Sequence, residues 1–170
     1  MRTLLWVSLS VVFCMHASAA VETVVMVSGP DLTFRYDPAL WKPLAALKAP
    51  EPETTQSMTW ELQRPEGIQV TVASTPTPKD EETFKRETLL AQRLRGEPAK
   101  LIEERRQTLA GRDWLVLEFR NTNTRTERRE IHYFLPAAEG YVRLFVVVNE
   151  SDMPAQQEAI EAFLSGIRLN

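Results

Sequence analysis

Cysteine is nearly missing from this chain of 170 residues: the single one, Cys14, lies inside an N-terminal apolar stretch. If that stretch is removed, disulfides, thiolate nucleophiles and cysteine metal sites are all excluded. Glycine is also scarce, at six residues, and no glycine-rich phosphate loop or dinucleotide fingerprint is present. The two histidines, His16 and His132, stand far apart and make no metal-ligand spacing. Charge of one sign does not accumulate. The net charge is −3, so the broad basic field that nonspecific nucleic-acid binding needs is missing. No apolar run approaches the roughly twenty residues that span a bilayer.

What is present begins with a leader. Met1 and Arg2 supply a positive start, Leu4 to Cys14 an apolar stretch, and Ala17-Ser18-Ala19 a small-residue cleavage site. Together they have the three-part layout of a secretory signal peptide. The expectation is cleavage at about residue 20, a single domain over 21–170, and a periplasmic or secreted location. Val11, Val12 and Phe13 precede Cys14 without the small residue that lipid attachment favours, which argues against a lipoprotein anchor. A domain of about 150 residues buries enough surface to fold without covalent staples.

The apolar residues of 109–149 follow a period of two. Leu115, Leu117 and Phe119 alternate with Trp114, Val116, Glu118 and Arg120. Ile131, Tyr133 and Leu135 repeat the pattern, and Val142, Leu144, Val146 and Val148 repeat it again. Such alternation predicts an antiparallel meander. Upstream, Val21 to Val27 and Leu32, Phe34 and Tyr36 predict two short strands. Pro38 to Pro43 reads as an apolar turn with Trp41 plugging the core, and 48–56 as a surface loop. Met58, Trp60 and Leu62 pair with Ile68, Val70 and Val72 through an Arg64-Pro65-Glu66-Gly67 turn.

Thr77 and Pro78 then predict the cap and first position of a helix over 78–95, with Phe84, Leu90, Ala91 and Leu94 as its buried stripe and Gly96 and Pro98 as its stop. The charged run Lys100 to Thr108 reads as an edge strand, turning at Ala110 to Asp113. Ser151 or Asp152 caps a last helix whose buried face is Ile160, Phe163, Leu164 and Ile167. Gly166 ends it, ahead of a short terminal strand.

Three features carry a family resemblance: Pro38-Ala39-Leu40-Trp41 after a strand; Gly111-Arg112-Asp113-Trp114-Leu115-Val116-Leu117-Glu118-Phe119; and the order hairpin, helix, meander, C-terminal helix over about 30–169. The chain resembles the PsbP-like family, a fold shared by the extrinsic photosystem II subunit, the Ran-binding Mog proteins and bacterial periplasmic DcrB-type proteins. The resemblance implies an α+β fold, an antiparallel β-sheet flanked by helices in an α-β-α sandwich. It also implies binding and assembly rather than catalysis, with no cofactor, and carries over no partner and no binding residue.

Candidate sites follow from the residues. Arg120, Arg125, Arg128 and Arg129 gather at the hairpin tip of the meander, a pattern suited to an acidic protein surface or anionic headgroups. With Trp41 and Trp114 they form the expected contact surface for an envelope protein partner. The second face of the meander is expected to carry Trp114, Val116, Phe134, Tyr141, Phe145 and Val147 with Arg120, Arg143, Glu118 and His132. A helix covers it, or it stays open as a groove for a lipid or small hydrophobic ligand beside Trp114. His132, with Glu130 or Glu118 on its face, is the weakest candidate, a hydrolase centre. The mature serines sit in turns, caps and strand ends, outside any nucleophile-elbow sequence.

Overall fold

The computed structural model describes residues 21–26, 30–44, 56–62, 68–94, 99–122 and 127–169, with 25, 26 and 56–62 as backbone alone. The leader, the 48–56 loop apart from Gln56, the 64–67 turn, Gly96, Pro98 and Arg125 lie outside these residues. The elements are β1 (Glu22–Met26), β2 (Leu32–Tyr36), β3 (Trp41–Pro43), β4 (Gln56–Leu62), β5 (Gln69–Thr75), α1 (Glu81–Leu94), β6 (Ala99–Leu109), β7 (Arg112–Asn121), β8 (Arg128–Ala137), β9 (Gly140–Asn149), α2 (Met153–Ser165) and β10 (Ile167–Leu169). A seven-stranded sheet runs β3-β4-β5-β9-β8-β7-β6, and a three-stranded sheet runs β1-β2-β10. Neighbouring strands in both sheets are antiparallel.

The meander is therefore the middle of the large sheet, and the charged strand β6 is one of its edges. Charged side chains on an exposed edge discourage further strand addition. Ala110 and Gly111 join β6 to β7 with φ of 53° and 71°. Two successive positive φ values make the tight primed turn whose twist matches that of the flanking strands.

One face of the large sheet is aliphatic. Trp114, Val116, Ile131, Tyr133, Val142, Leu144, Val146 and Val148 are buried on it with Val70 and Val72 of β5. Over this face lies α2, whose Ile160, Phe163 and Leu164 join the same core as Leu32 and Phe34 of the small sheet. The Phe163 ring sits 4.3 Å from Phe34 and 4.5 Å from Trp41. Trp41 thus plugs the core as expected, though it opens β3 rather than a turn; the turn is confined to 38–40. At the helix end, the Arg35 amide donates to the Gly166 carbonyl at 3.1 Å, which fastens α2 to β2.

Tyr133 is buried in this core, and burial pushes its phenol up to about 12. The fold thus keeps the neutral form, while the unfolded chain ionises near 10. The associated stability is complete below about pH 10 and is lost as pH rises toward about 12. Tyr133→Phe should remove about 1 kcal/mol of the stability lost between pH 9 and pH 11, read by urea unfolding. An unchanged difference between the two pH values would contradict this assignment.

The opposite face is covered by α1. Phe84 stacks on Phe134 with ring centroids 4.2 Å apart, within a smaller core that includes Leu115, Leu117 and Phe119. Two expectations are corrected here. The helix begins at Glu81 and is capped by Asp80, which accepts from the Thr83 amide at 2.7 Å, not by Thr77. An Asp cap draws the start three residues later because it can satisfy a first-turn amide that Thr77 is too distant to reach.

Its buried stripe is Phe84, Thr88 and Gln92, whereas Leu90 and Leu94 are 52% and 76% exposed. The sheet below explains this inversion, because it presents polar side chains that need polar partners. Ion pairs from Lys85 to Glu104 at 2.7 Å and from Arg106 to Glu81 hold the helix against β6 and set its rotation.

Candidate functional site

Strand register decides which side chains meet. Leu115 pairs with Phe134, Leu117 with His132 and Phe119 with Glu130, whereas Val116 and Glu118 pair with Tyr133 and Ile131. The face under α1 therefore joins Leu115, Leu117 and Phe119 to Phe134, His132 and Glu130. Trp114, Val116, Glu118 and Arg120 belong to the other face, one residue out of step with the expected grouping. Trp114 through Phe119 are all buried, so both faces of β7 are core and alternation alone could not rank them.

Four polar side chains converge beneath α1. Gln92 is 4% exposed, Glu130 6% and His132 1%, and Arg143 reaches them from β9. The Gln92 amide nitrogen donates to the Glu130 carboxylate at 2.8 Å. An Arg143 Nη2 donates to His132 Nδ1 at 3.0 Å. A guanidinium only donates, so Nδ1 accepts in this bond, while Nε2 lies 3.5 Å from the Gln92 amide nitrogen and 3.8 Å from the Glu130 carboxylate. The ring is held between Phe119, edge-on at 5.4 Å, and Phe145 at 4.6 Å.

Nδ1 is thus engaged within the fold, and the ring as a whole is 1% exposed. Glu130 shares the face of His132, while Glu118 lies on the opposite one. Among the described residues no group of three or more His, Cys, Asp or Glu side chains is placed to hold a metal ion.

Gln92 also lines a cavity of about 210 Å³ with Lys79, Phe84, Glu87, Tyr141 and Arg143. Lys79 Nζ pairs with Glu87 at 2.6 Å and lies 5.1 Å from the Tyr141 ring centroid. Burial is the largest single influence and opposes the Lys79 charge, but the hydrogen bond to Glu87 together with the nearby Glu87 and Tyr141 groups outweighs it and holds this ammonium above its ordinary pKa. Sequence reasoning places Arg143 and Tyr141 on a candidate face and Phe84 in the helix stripe, but ties Lys79, Glu87 and Gln92 to no site. Their signal was the polar i, i+4 pair Thr88 and Gln92 following Phe84 on one helix stripe, which the nearby leucines masked.

The second candidate region is the root of the β7–β8 hairpin. Arg129 donates to Glu118 at 2.8 Å and to Glu150 at 2.9 Å, and Arg120 donates to Glu150 at 3.0 Å. Arg105 approaches Glu118 at 3.9 Å. The hydrogen bond from Arg129 holds the Glu150 carboxyl below its ordinary range. Arg120 and Arg129 are thus engaged within the fold, while Arg128 is exposed beside them and Arg125 lies outside the described residues.

Trp41 and Trp114 are 2% and 0% exposed. The Trp114 indole nitrogen donates to the Leu109 carbonyl at 3.0 Å. Neither ring offers surface to a partner, so the expected contact patch loses both: α2 and the large sheet enclose them. At the end of this face a half-open cavity of about 460 Å³ is bordered by Asp31, Arg112 and Glu139 as well as Leu135 and Leu169.

A solved structure shares this arrangement of strands and helices. The chain is similar to the cyanobacterial PsbP (CyanoP) of Synechocystis sp. PCC 6803, with a TM-score of 0.65 at 13% identity, covering 92% of this chain and 96% of that one. The fold is PsbP-like. More distant from this PsbP-like chain is PA94, a protein of unknown function from Pseudomonas aeruginosa, at TM-score 0.48, 10% identity and 85% and 94% coverage of this chain and that one. LpqN of Mycobacterium tuberculosis, described as involved in cell envelope biogenesis, has TM-score 0.46, 10% identity and 88% and 91% coverage. No protein-family model matches the chain, and no curated protein matches it. Among the described residues no helix is long and apolar enough to cross a membrane.

Proposed function

We propose that this chain is an exported, non-enzymatic binding or assembly module of the cell envelope, related to the bacterial DcrB-type members of the fold. In this reading the leader is cleaved near residue 20 and the remaining 21–170 form one periplasmic or secreted domain. The protein partner is met at the β7–β8 hairpin. The observation that carries this is the division of labour among the arginines. Arg129 and Arg120 pin the hairpin root to Glu118 and Glu150, leaving Arg128 exposed on a stiffened support. A preorganised charged surface loses less side-chain entropy on docking than a mobile one.

The test is crosslinking capture from the native envelope with wild type and Arg128→Glu as baits. Arg128 is exposed and outside the Arg129 network, so the variant should keep its melting temperature and lose at least tenfold in capture of one acidic envelope protein. Equal capture by both baits would remove the hairpin from the contact surface. The lipid-carrier alternative requires an apolar cavity beside Trp114, where the indole is enclosed and the neighbouring cavity has a charged rim. The module reading is therefore preferred.

A further inference from the structure

We propose that the outer face of α1 docks on an anionic lipid surface. The key observation is what the rotation of this helix leaves outside. Its inward stripe is Phe84, Thr88 and Gln92. Leu90 and Leu94, one turn apart on the opposite side, are 52% and 76% exposed. Arg86 and Arg93 stand on that same outward stripe, one turn to either side of Leu90, and both are exposed.

The charges along α1 are sorted rather than mixed. Its acids lie toward the start, and two of the three are engaged within the fold: Glu81 pairs with Arg106 and Glu87 with Lys79, leaving Glu82 in the first turn. Arg86 and Arg93 form no ion pair among the described residues, so their charge is available to a ligand. The C-terminal half of the outer face is therefore apolar and basic. Attraction of a helix C-terminus for cations accounts for Arg93, but not for two leucines in water beside it.

Shape decides between a membrane and a peptide. Among the described residues α1 is the one helix on its side of the large sheet, since α2 lies on the other. It forms a convex ridge with the leucines on its crest, and a ridge offers no groove to a peptide. A bilayer interface admits it. The leucines enter the boundary between headgroups and acyl chains, while the arginine stems run upward and each guanidinium forks onto phosphate oxygens. The whole chain carries a net charge of −3, so the attraction comes from this local field and is screened by salt. The face uses none of the hairpin arginines and does not rest on the partner reading above.

The experiment purifies the chain from the native envelope, in the form the cell leaves it, and floats it with vesicles. One set is an equal mixture of phosphatidylcholine and phosphatidylglycerol, the other phosphatidylcholine alone. Binding to the mixed vesicles should be at least tenfold tighter and should weaken as salt is raised. Leu90→Gln with Leu94→Gln, and separately Arg86→Gln with Arg93→Gln, should each weaken it at least tenfold. All four side chains are exposed, so the melting temperature should not change. Arg112→Gln, which removes an exposed cation at the start of β7, should bind as wild type does. The leucine variant should also keep its capture of the acidic envelope protein, so this proposal and the partner reading fail separately. No flotation with the mixed vesicles, equal flotation with phosphatidylcholine alone, wild-type binding by either double variant, or an equal loss with Arg112→Gln would each overturn the assignment. Loss of protein capture by the leucine variant with vesicle binding intact would give the face to a protein instead, and would overturn it too.

Discussion

Gly140→Ala should be severely damaging, lowering stability by about 3–5 kcal/mol. Gly140 opens β9 at φ 134°, a backbone conformation open to glycine and rarely to other residues. Space is closed as well. A Cβ at this position would stand 1.9 Å from the Thr75 carbonyl oxygen and 2.8 Å from Pro76 Cα, both backbone atoms that no side-chain rotation can clear. Relief requires β9 to move away from the end of β5, where Thr75 pairs with Tyr141.

That pairing carries the central strands of the large sheet, so the cost is not confined to a turn. At roughly 2–4 °C per kcal/mol for a domain of this size, the melting temperature should fall by about 6–20 °C. Gly111→Ala is the matched control. Gly111 also has positive φ, 71°, but nothing lies within 4 Å of the point where a Cβ would stand, so only the conformational term of about 1–2 kcal/mol applies. Equal losses for the two variants would show that the close approach at Gly140 is relieved cheaply.

Arg129→Met should cost about 2–4 kcal/mol, more than a surface ion pair can explain. The reason is Glu118, whose side chain is 6% exposed and whose nearest cation is Arg129 at 2.8 Å, with Arg105 next at 3.9 Å. Removing the guanidinium leaves a buried carboxylate short of a partner, and it leaves Glu150 to Arg120 alone. The double variant Arg129→Met with Glu118→Leu should recover at least 1 kcal/mol of the loss, because an apolar pair has no stranded charge. A single-variant loss under about 0.5 kcal/mol would mean that Arg105 suffices for Glu118.

The same arginine sets part of the acid limb. Glu150 titrates below its ordinary range because of its hydrogen bond from Arg129. A depressed folded value contributes stability above the unfolded carboxylate pKa of about 4.3 and loses it as pH falls through the lowered folded value. Without Arg129 that part of the acid-side dependence should flatten.

Much of the fold was legible because local chemistry and burial agree. The meander strands and β2 follow alternation, β1 follows a β-branched run, the β4–β5 pair falls where alternation places it, and the edge position of β6 follows its charge. The last helix reads correctly at Ile160, Phe163 and Leu164, which face an aliphatic sheet surface, but it ends at Ser165, so Ile167, expected on the same stripe, is buried from β10 instead. The first helix misleads for the converse reason. It covers Glu130, His132 and Arg143, so Thr88 and Gln92 turn inward and Leu90 and Leu94 turn out. Trp41 as a core plug was readable from its apolar turn, whereas its exclusion from a contact surface became visible only with Phe163 against it.

Residue order alone determined that this chain makes antiparallel strands, where most of them lie, which charged strand stands at an edge, and that a second helix closes the aliphatic face. These follow from periodicity and turn chemistry, which act within a few residues of one another; capping did not serve, since Asp80 rather than Thr77 caps the first helix and Asp152 opens the second without a side-chain cap bond. Register and helix rotation belonged to the tertiary structure. Both faces of β7 are apolar enough to be buried, so only its pairing with β8 could assign Leu117 rather than Val116 to the His132 face. The Gln92 cluster draws its parts from α1, β8 and β9, up to about fifty residues apart, and its geometry exists only once those elements pack. Local patterning fixes what each segment prefers; which polar groups satisfy one another is decided by long-range packing, where a buried group must find its partner.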